Sequence, residues 1–216
     1  SDYNDGSLST SYTWTLSNGS ILATSGSIYT IDESETNPGD EIVCTATASD
    51  NDGASISSST SIIVENTDPS INSFTISPDT SVEANATLEM QVSYSDIDNQ
   101  GLNAVYEWRS PQGSLLGSSN ILPLNSSYAV GANIIGTFTV TDINGGSTTQ
   151  SDVVTILNTG PTVSNPASIS ASPAPVTTGV LTCNASFSDY NDGSLSPTYS
   201  WTLLDGTPLA AVGNTL

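Results

Sequence analysis

Leu88, Met90, Val92 and Tyr94 alternate with Glu89, Gln91 and Ser93, and a similar alternation runs from Ala104 to Trp108. A period of two sends successive side chains to opposite faces, which predicts half-buried strands. Asp-Gly, Asn-Gly and Pro-rich punctuation falls between such runs about every 8 to 12 residues, and no stretch has a helix-forming composition. The pattern predicts an all-β chain.

A longer period overlies this one. Ser1-Asp2-Tyr3-Asn4-Asp5-Gly6 returns as Ser188-Asp189-Tyr190-Asn191-Asp192-Gly193, with a degenerate copy, Ser95-Asp96-Ile97-Asp98, between them. The leading serines stand at 1, 95 and 188, so the period is 94 and then 93. Thirteen residues after each comes a Trp (Trp14, Trp108, Trp201), and five after each Trp a Gly (Gly19, Gly113, Gly206). Ala46-Thr47-Ala48-Ser49-Asp50 matches Phe138-Thr139-Val140-Thr141-Asp142, and Asn66-Thr67-Asp68-Pro69 matches Asn158-Thr159-Gly160-Pro161, both 92 residues on. Agreement at a nearly constant offset marks tandem repetition. A unit of about 93 residues, rich in short strands, suits an immunoglobulin-type sandwich of roughly 100 residues.

With the two Asn-Thr-x-Pro stretches taken as linkers, the expected organisation is the C-terminal part of one repeat (1–67), a complete repeat (68–158) and the N-terminal part of a third (159–216). The chain then reads as a window on a longer array.

Composition narrows the chemistry. Against 22 Asp and Glu stands a single basic residue, Arg109, for a net charge of -21, and there is no Lys or His. A polyanion needs clustered Lys and Arg, so nucleic acid is not an expected partner. Nucleophilic triads with His, His-ligated zinc, Schiff-base lysines and P-loop lysines are excluded by composition. No apolar run reaches the roughly 20 residues of a membrane span, so no membrane insertion is expected of this segment. Ser and Thr make up 66 of the 216 residues. At seawater ionic strength, charges are screened within roughly 4 Å, so the acidity suggests a saline source.

The Trp-x-x-x-x-Gly of Trp14–Gly19, with Thr45-Ala46-Thr47-Ala48-Ser49-Asp50-Asn51-Asp52-Gly53 near the repeat's end, resembles the polycystic-kidney-disease (PKD) domain family. That family carries Trp-Asp-Phe-Gly-Asp-Gly on one strand and a Thr-Val-Thr-Asp-x-x-Gly hairpin. Here the central Asp-Phe-Gly is replaced by Thr15-Leu16-Ser17, Arg109-Ser110-Pro111 and Thr202-Leu203-Leu204. The resemblance spans all three copies. It implies tandem immunoglobulin-like β-sandwiches, one complete and two partial, in a non-catalytic extracellular or cell-surface module that spaces, adheres or assembles.

The resemblance also implies roles for single residues. Cys44 and Cys183 fall on strands that face each other across such a sandwich, where cysteines pair beside the buried Trp. Their partners would lie before Ser1 and beyond Leu216. In the complete repeat the equivalent positions hold Met90 and Gly136, a large flexible side chain opposite an empty one, which fills the volume without a crosslink. Two ordinary buried thiols are the alternative. A bond between Cys44 and Cys183 of one chain is not expected, because a whole repeat separates them. Trp14, Trp108 and Trp201 read as core, in preference to an exposed carbohydrate platform.

Oxygen ligands are the remaining metal chemistry. Asp2, Asn4, Asp5, Asp50, Asp52, Glu65 and Asp68 have the close spacing of carboxylates and amides that Ca2+ uses. The same residues also suit Asp-Gly and Asn-Gly hairpin turns, in which Asp and Asn cap their own backbone. A glycosidase carboxylate pair belongs to one cleft, whereas these acids recur on turns, so no enzyme is expected. The asparagines that begin sequons (Asn18, Asn85, Asn125, Asn184) number no more than chance gives in so Ser- and Thr-rich a chain.

The expected function is therefore structural: part of a stalk, adhesin, sheath or filament outside the cell. Its partners would be neighbouring repeats or copies of itself, with a surface polysaccharide or protein as a further ligand class. An accessory substrate-binding or spacer module of a large secreted hydrolase is the alternative.

Overall fold

A computed structural model describes residues 8–78, 81–98, 101–172, 178–211 and 213–216. Among them are fifteen strands and no helix, so the chain is all-β. β1 (Ser9–Leu16), β2 (Ile21–Ala23), β3 (Glu41–Ser49) and β4 (Ser55–Ile63) form one antiparallel sheet in the order β2-β1-β3-β4. Eight strands follow: β5 (Ser70–Ser77), β6 (Ser81–Glu83), β7 (Thr87–Ser95), β8 (Asn103–Arg109), β9 (Leu115–Gly117), β10 (Ile121–Pro123), β11 (Asn133–Thr141) and β12 (Ser147–Leu157). They make two sheets, β10-β7-β5 and β6-β12-β11-β8-β9, the faces of an immunoglobulin-like sandwich. β13 (Thr162–Ser172), β14 (Val180–Asp189) and β15 (Gly193–Leu195) form the last sheet. Beside β14, the Leu181 and Cys183 amides donate to the carbonyls of Leu216 and Asn214.

The sheets repeat as the sequence does. β1, β2, β3 and β4 recur as β8, β9, β11 and β12 in the same order, and β5 and β7 recur as β13 and β14. Gly19, Gly113 and Gly206 have φ of 94°, 88° and 88°, a left-handed backbone that glycine adopts without steric cost. Each donates its N–H to the carbonyl three residues before it. In β1 and β8 the pairing register shifts directly after the Trp. The Trp-x-x-x-x-Gly spacing thus encodes a bulge followed by a tight turn.

The residues divide into two compact units. One takes in the N-terminal segment to Phe74, with Val92–Val105 and Phe138–Gln150; the other holds Thr75–Gln91, Tyr106–Thr137 and Ser151–Leu216. In the first, Ile42, Phe138 and Val140 are buried, and Tyr94 tilts against Phe138 with ring centroids 5.3 Å apart. In the second, Leu88, Met90, Trp108, Leu122, Ile134 and Ile156 are buried between the two sheets. Burying such a Leu, Ile or Met side chain contributes about 1.5–3 kcal/mol. β11 buries every second residue from Ile134 to Val140, as the period of two requires.

Gly136 sits where side chains of the core leave no room for a Cβ. A Cβ there would lie 2.8 Å from Ile76 Cδ1, 2.9 Å from Met90 Cε and 2.9 Å from Trp108 Cζ3. Met90 therefore fills the space that Gly136 leaves empty.

Neutral hydrogen bonds join exposed side chains on neighbouring strands. Hydroxyls pair across strands at Thr45–Ser59 (3.0 Å), Thr47–Ser57 (2.8 Å), Ser73–Ser93 (2.7 Å) and Thr139–Thr149 (2.9 Å). Cross-strand pairs of this kind each contribute roughly 0.2–1 kcal/mol.

Candidate functional site

The linker after β4 is held by side chains far from it in sequence. The Thr67 N–H donates to Asp98 Oδ2 at 2.7 Å, and the Asp98 N–H in turn donates to Asp96 Oδ1 at 2.7 Å. The same relay recurs at the second linker: the Thr159 N–H donates to Asn191 Oδ1 at 2.9 Å, and the Asn191 N–H to Asp189 Oδ1 at 2.8 Å. Each Asn-Thr-x-Pro linker is thereby fastened to the Ser-Asp-x-Asp/Asn turn of the repeat that follows. Asp189 is buried.

The first linker has a second set of ties. Asn66 Nδ2 donates to Asp142 Oδ2 (2.9 Å), and Asn144 Nδ2 donates to Asn66 Oδ1 (2.9 Å). Pro69 is fully buried, and its carbonyl accepts the Thr148 hydroxyl. These groups close over Gly146. A Cβ on that residue would collide with Asp142 Oδ2 and would stand 2.5 Å from Asp68 Oδ1 and 2.7 Å from Asn66 Nδ2. The Asn66 amide is the main influence holding the Asp142 carboxyl below the ordinary carboxylate range; burial opposes it, and the N–H groups of Asn144, Gly146 and Gly145 reinforce it.

Of the residues singled out for Ca2+, Asp50 and Asp52 lie in one hairpin turn, and Glu65 and Asp68 lie in the linker. Asp50 Oδ1 accepts the N–H of Asp52 (3.0 Å) and of Ala54 (2.7 Å), closing its own hairpin turn. Asp142 Oδ1 does the same for Asn144 (2.8 Å) and Gly146 (3.0 Å) in the equivalent hairpin. Glu65 is exposed, and Asp68 leans over Gly146. Asp2, Asn4 and Asp5 lie outside the described residues. Among the described residues no group of three or more Asp, Glu, Cys or His side chains is placed to hold a metal ion.

The three Trp residues share one role. Each indole N–H donates to a carbonyl 11 or 12 residues on: Trp14 to Gly26 (3.2 Å), Trp108 to Ser119 (2.9 Å) and Trp201 to Gly213 (3.3 Å). Each Trp thereby pins the loop after its hairpin. Trp108 is fully buried, while Trp14, stacked on Tyr29 at 5.9 Å, and Trp201 are half-buried. Cys44 and Cys183 are free and half-buried.

Arg109 is spent locally. Its guanidinium forms two hydrogen bonds with Glu107 (3.1 and 2.8 Å) and a third with the Gly113 carbonyl (2.9 Å). A cleft of about 400 Å³ flanked by Gln112, Leu116, Tyr128 and Asn133 has no carboxylate in its lining.

Sequence reasoning passed over Asp98, Asn191, Asp142 and Gly146. The available signal was the constant pairing of each Asn-Thr-x-Pro linker with a Ser-Asp-x-Asp/Asn turn about 30 residues later.

No protein-family model and no curated protein matches the chain. Among solved structures it is similar to the amphioxus IgVJ-C2 molecule, at 15% identity over 72% of this chain and 93% of that one, with a TM-score of 0.33. It is also similar to Drosophila N-cadherin EC1-4, at 16% identity over 97% of this chain, again with a TM-score of 0.33; the chain spans 58% of that structure's length. The immunoglobulin-like fold stands on the sheet order and core described above.

Proposed function

We propose that the chain is a structural, non-enzymatic repeat protein of the cell exterior, a string of PKD-like sandwiches in a stalk, adhesin, sheath or filament. The observation that carries this reading is the recurring linker relay, Thr67 to Asp98 and Thr159 to Asn191. A tie remade at successive linkers, from residue types the repeat itself supplies, serves to string modules together. It does not build a reaction centre. Proline at the end of each linker fixes φ and removes a donor, which stiffens the passage further.

The remaining features agree with a load-bearing part. The sheets offer long antiparallel ladders, the carboxylates cap turns, and the one cation is engaged by Glu107 and Gly113. A net charge of -21 keeps chains apart in dilute salt, while brine shortens the repulsion to a few ångströms and lets surfaces approach.

Imaging of native material tests the proposal. A beaded polymer whose axial repeat matches one or a few sandwiches is expected. Dispersed monomers co-purifying with hydrolytic activity would overturn it in favour of an accessory module.

A further inference from the structure

The first and middle repeats share one backbone scaffold beside the Trp hairpin. The Gly39 N–H donates to the Val64 carbonyl and the Val64 N–H to the Asp40 carbonyl, and Gly131, Ile156 and Ala132 repeat both bonds. In the turn, the Leu16 N–H donates to Ser20 and the Leu16 carbonyl accepts from Gly19; Ser110 makes the same two bonds with Ser114 and Gly113. Ser17 therefore corresponds to Pro111, and Glu41 to Asn133.

At that pair the two repeats differ. In the first, the Ser17 N–H donates to the Glu41 carbonyl at 2.8 Å, which closes the turn onto the start of β3. Pro111 has no N–H, so the middle repeat cannot make the same bond to Asn133. The cleft of about 400 Å³ lies at this place, between the turn at 110–112 and the loop at 127–133. Its walls are neutral: where the first repeat has Glu35, Asp40 and Glu41, the middle repeat has Ser127, Ala132 and Asn133. Thr36 is replaced by Tyr128, which lines the cleft half-buried. The Thr155 hydroxyl donates to Asn133 Oδ1 at 2.9 Å, which fixes that amide and leaves Nδ2 as a donor. Gln112, exposed on the opposite wall, supplies a second amide.

We propose that this cleft binds the end of a neutral glycan, with a sugar ring against Tyr128 and its hydroxyls hydrogen-bonded by Gln112 and Asn133. The lining chemistry selects the ligand. A tyrosine ring offers a flat apolar face to the C–H face of a sugar, and an amide both donates and accepts, as adjacent hydroxyls require. A cationic ligand finds no carboxylate in the lining, and an anionic one is repelled by a chain of net charge -21. An extended peptide needs a sheet edge or a long apolar groove, whereas a turn and a loop bound this cleft. The volume is at the small end for ligand sites and suits one or two sugar rings. Binding here is separate from stringing sandwiches together, and either property can fail alone.

The test applies the 216-residue chain, in dilute salt that keeps copies apart, to an array of neutral gluco-, manno-, galacto- and chito-oligosaccharides. Sialylated and sulfated glycans and proline-rich peptides stand beside them, and each sugar retained is titrated calorimetrically at millimolar concentration. Retention of one or more neutral oligosaccharides is expected, with affinity lowered roughly tenfold by Tyr128→Ala and by Gln112→Ala. Tyr128→Phe keeps the ring and should keep most of the binding. Gln112 is exposed, so Gln112→Ala reads the site even if Tyr128→Ala disturbs the loop. A chain that retains no neutral glycan, that retains only the charged glycans or the peptides, or whose sugar affinity is unchanged in Gln112→Ala and in a folded Tyr128→Ala would overturn the proposal.

Discussion

Asn66 and Asp142 lie 76 residues apart in sequence, yet the Asn66 amide donates to the Asp142 carboxylate at 2.9 Å. This contact fixes the linker against the β11–β12 turn, and it stabilises the ionised form of Asp142. A carboxyl whose folded pKa is depressed adds stability above its unfolded value of about 3.9 and loses it as pH falls through the lower folded value. Melting midpoints should therefore fall as pH drops below about 4. Asn66→Leu should lower the neutral-pH midpoint and flatten that acid limb. An acid limb as steep as before in the variant would assign the pH dependence to other carboxylates.

Gly146→Ala drives a methyl group into Asp142, Asp68 and Asn66. Overpacking of this kind costs about 1–3 kcal/mol. Gly160→Ala is the matched control at the other linker, where nothing lies within 4 Å of the added Cβ. Chemical denaturation should separate the two, with Gly146→Ala clearly destabilised and Gly160→Ala near wild type.

Gly136→Ala should cost a similar amount, about 1–3 kcal/mol, because the added Cβ would crowd Ile76, Met90 and Trp108. Replacing both residues, Met90→Cys with Gly136→Cys, should restore the volume and let a disulfide form. Thiol titration before and after oxidation reports it: beside Cys44 and Cys183, the two introduced thiols should vanish in the double variant, and neither single variant should lose its new thiol within the monomer.

Arg109 is the sole trypsin site in the chain, and it ends β8 with its guanidinium tied to Glu107 and Gly113. Folded protein should resist trypsin, and denatured protein should yield two fragments. Cleavage rate across a denaturant series then reports the opening of that hairpin.

Asp50 Oδ1 and Asp142 Oδ1 each accept N–H groups of their own turn, and Asp142 Oδ2 accepts the Asn66 amide. Millimolar calcium should therefore raise the melting midpoint no more than magnesium does at matched ionic strength. A calcium-specific rise would show that carboxylates outside these turns gather around the ion.

The repeat, the strands and the Trp-x-x-x-x-Gly hairpin were legible because each is local. Gly19, Gly113 and Gly206 report a left-handed backbone that few other residues tolerate. The linker ties were not legible for the opposite reason. Thr67 and Asp98 are 31 residues apart, and an Asp-x-Asp pattern reads equally well as a turn, a cation loop or an anchor. Burial of the three Trp residues also escaped the pattern. Their register is identical, but burial depends on the opposing sheet, which Trp108 has above it within the middle repeat.

The hydroxyl pairs along the outer faces, such as Thr45 with Ser59 and Thr139 with Thr149, contain no group that titrates in water's ordinary range and no charge that counterions can mask. The lacing they provide is indifferent to salt, acidity and mineral content. An object covered in such stitches keeps its shape through changes of bathing fluid that would loosen a coat fastened by ion pairs.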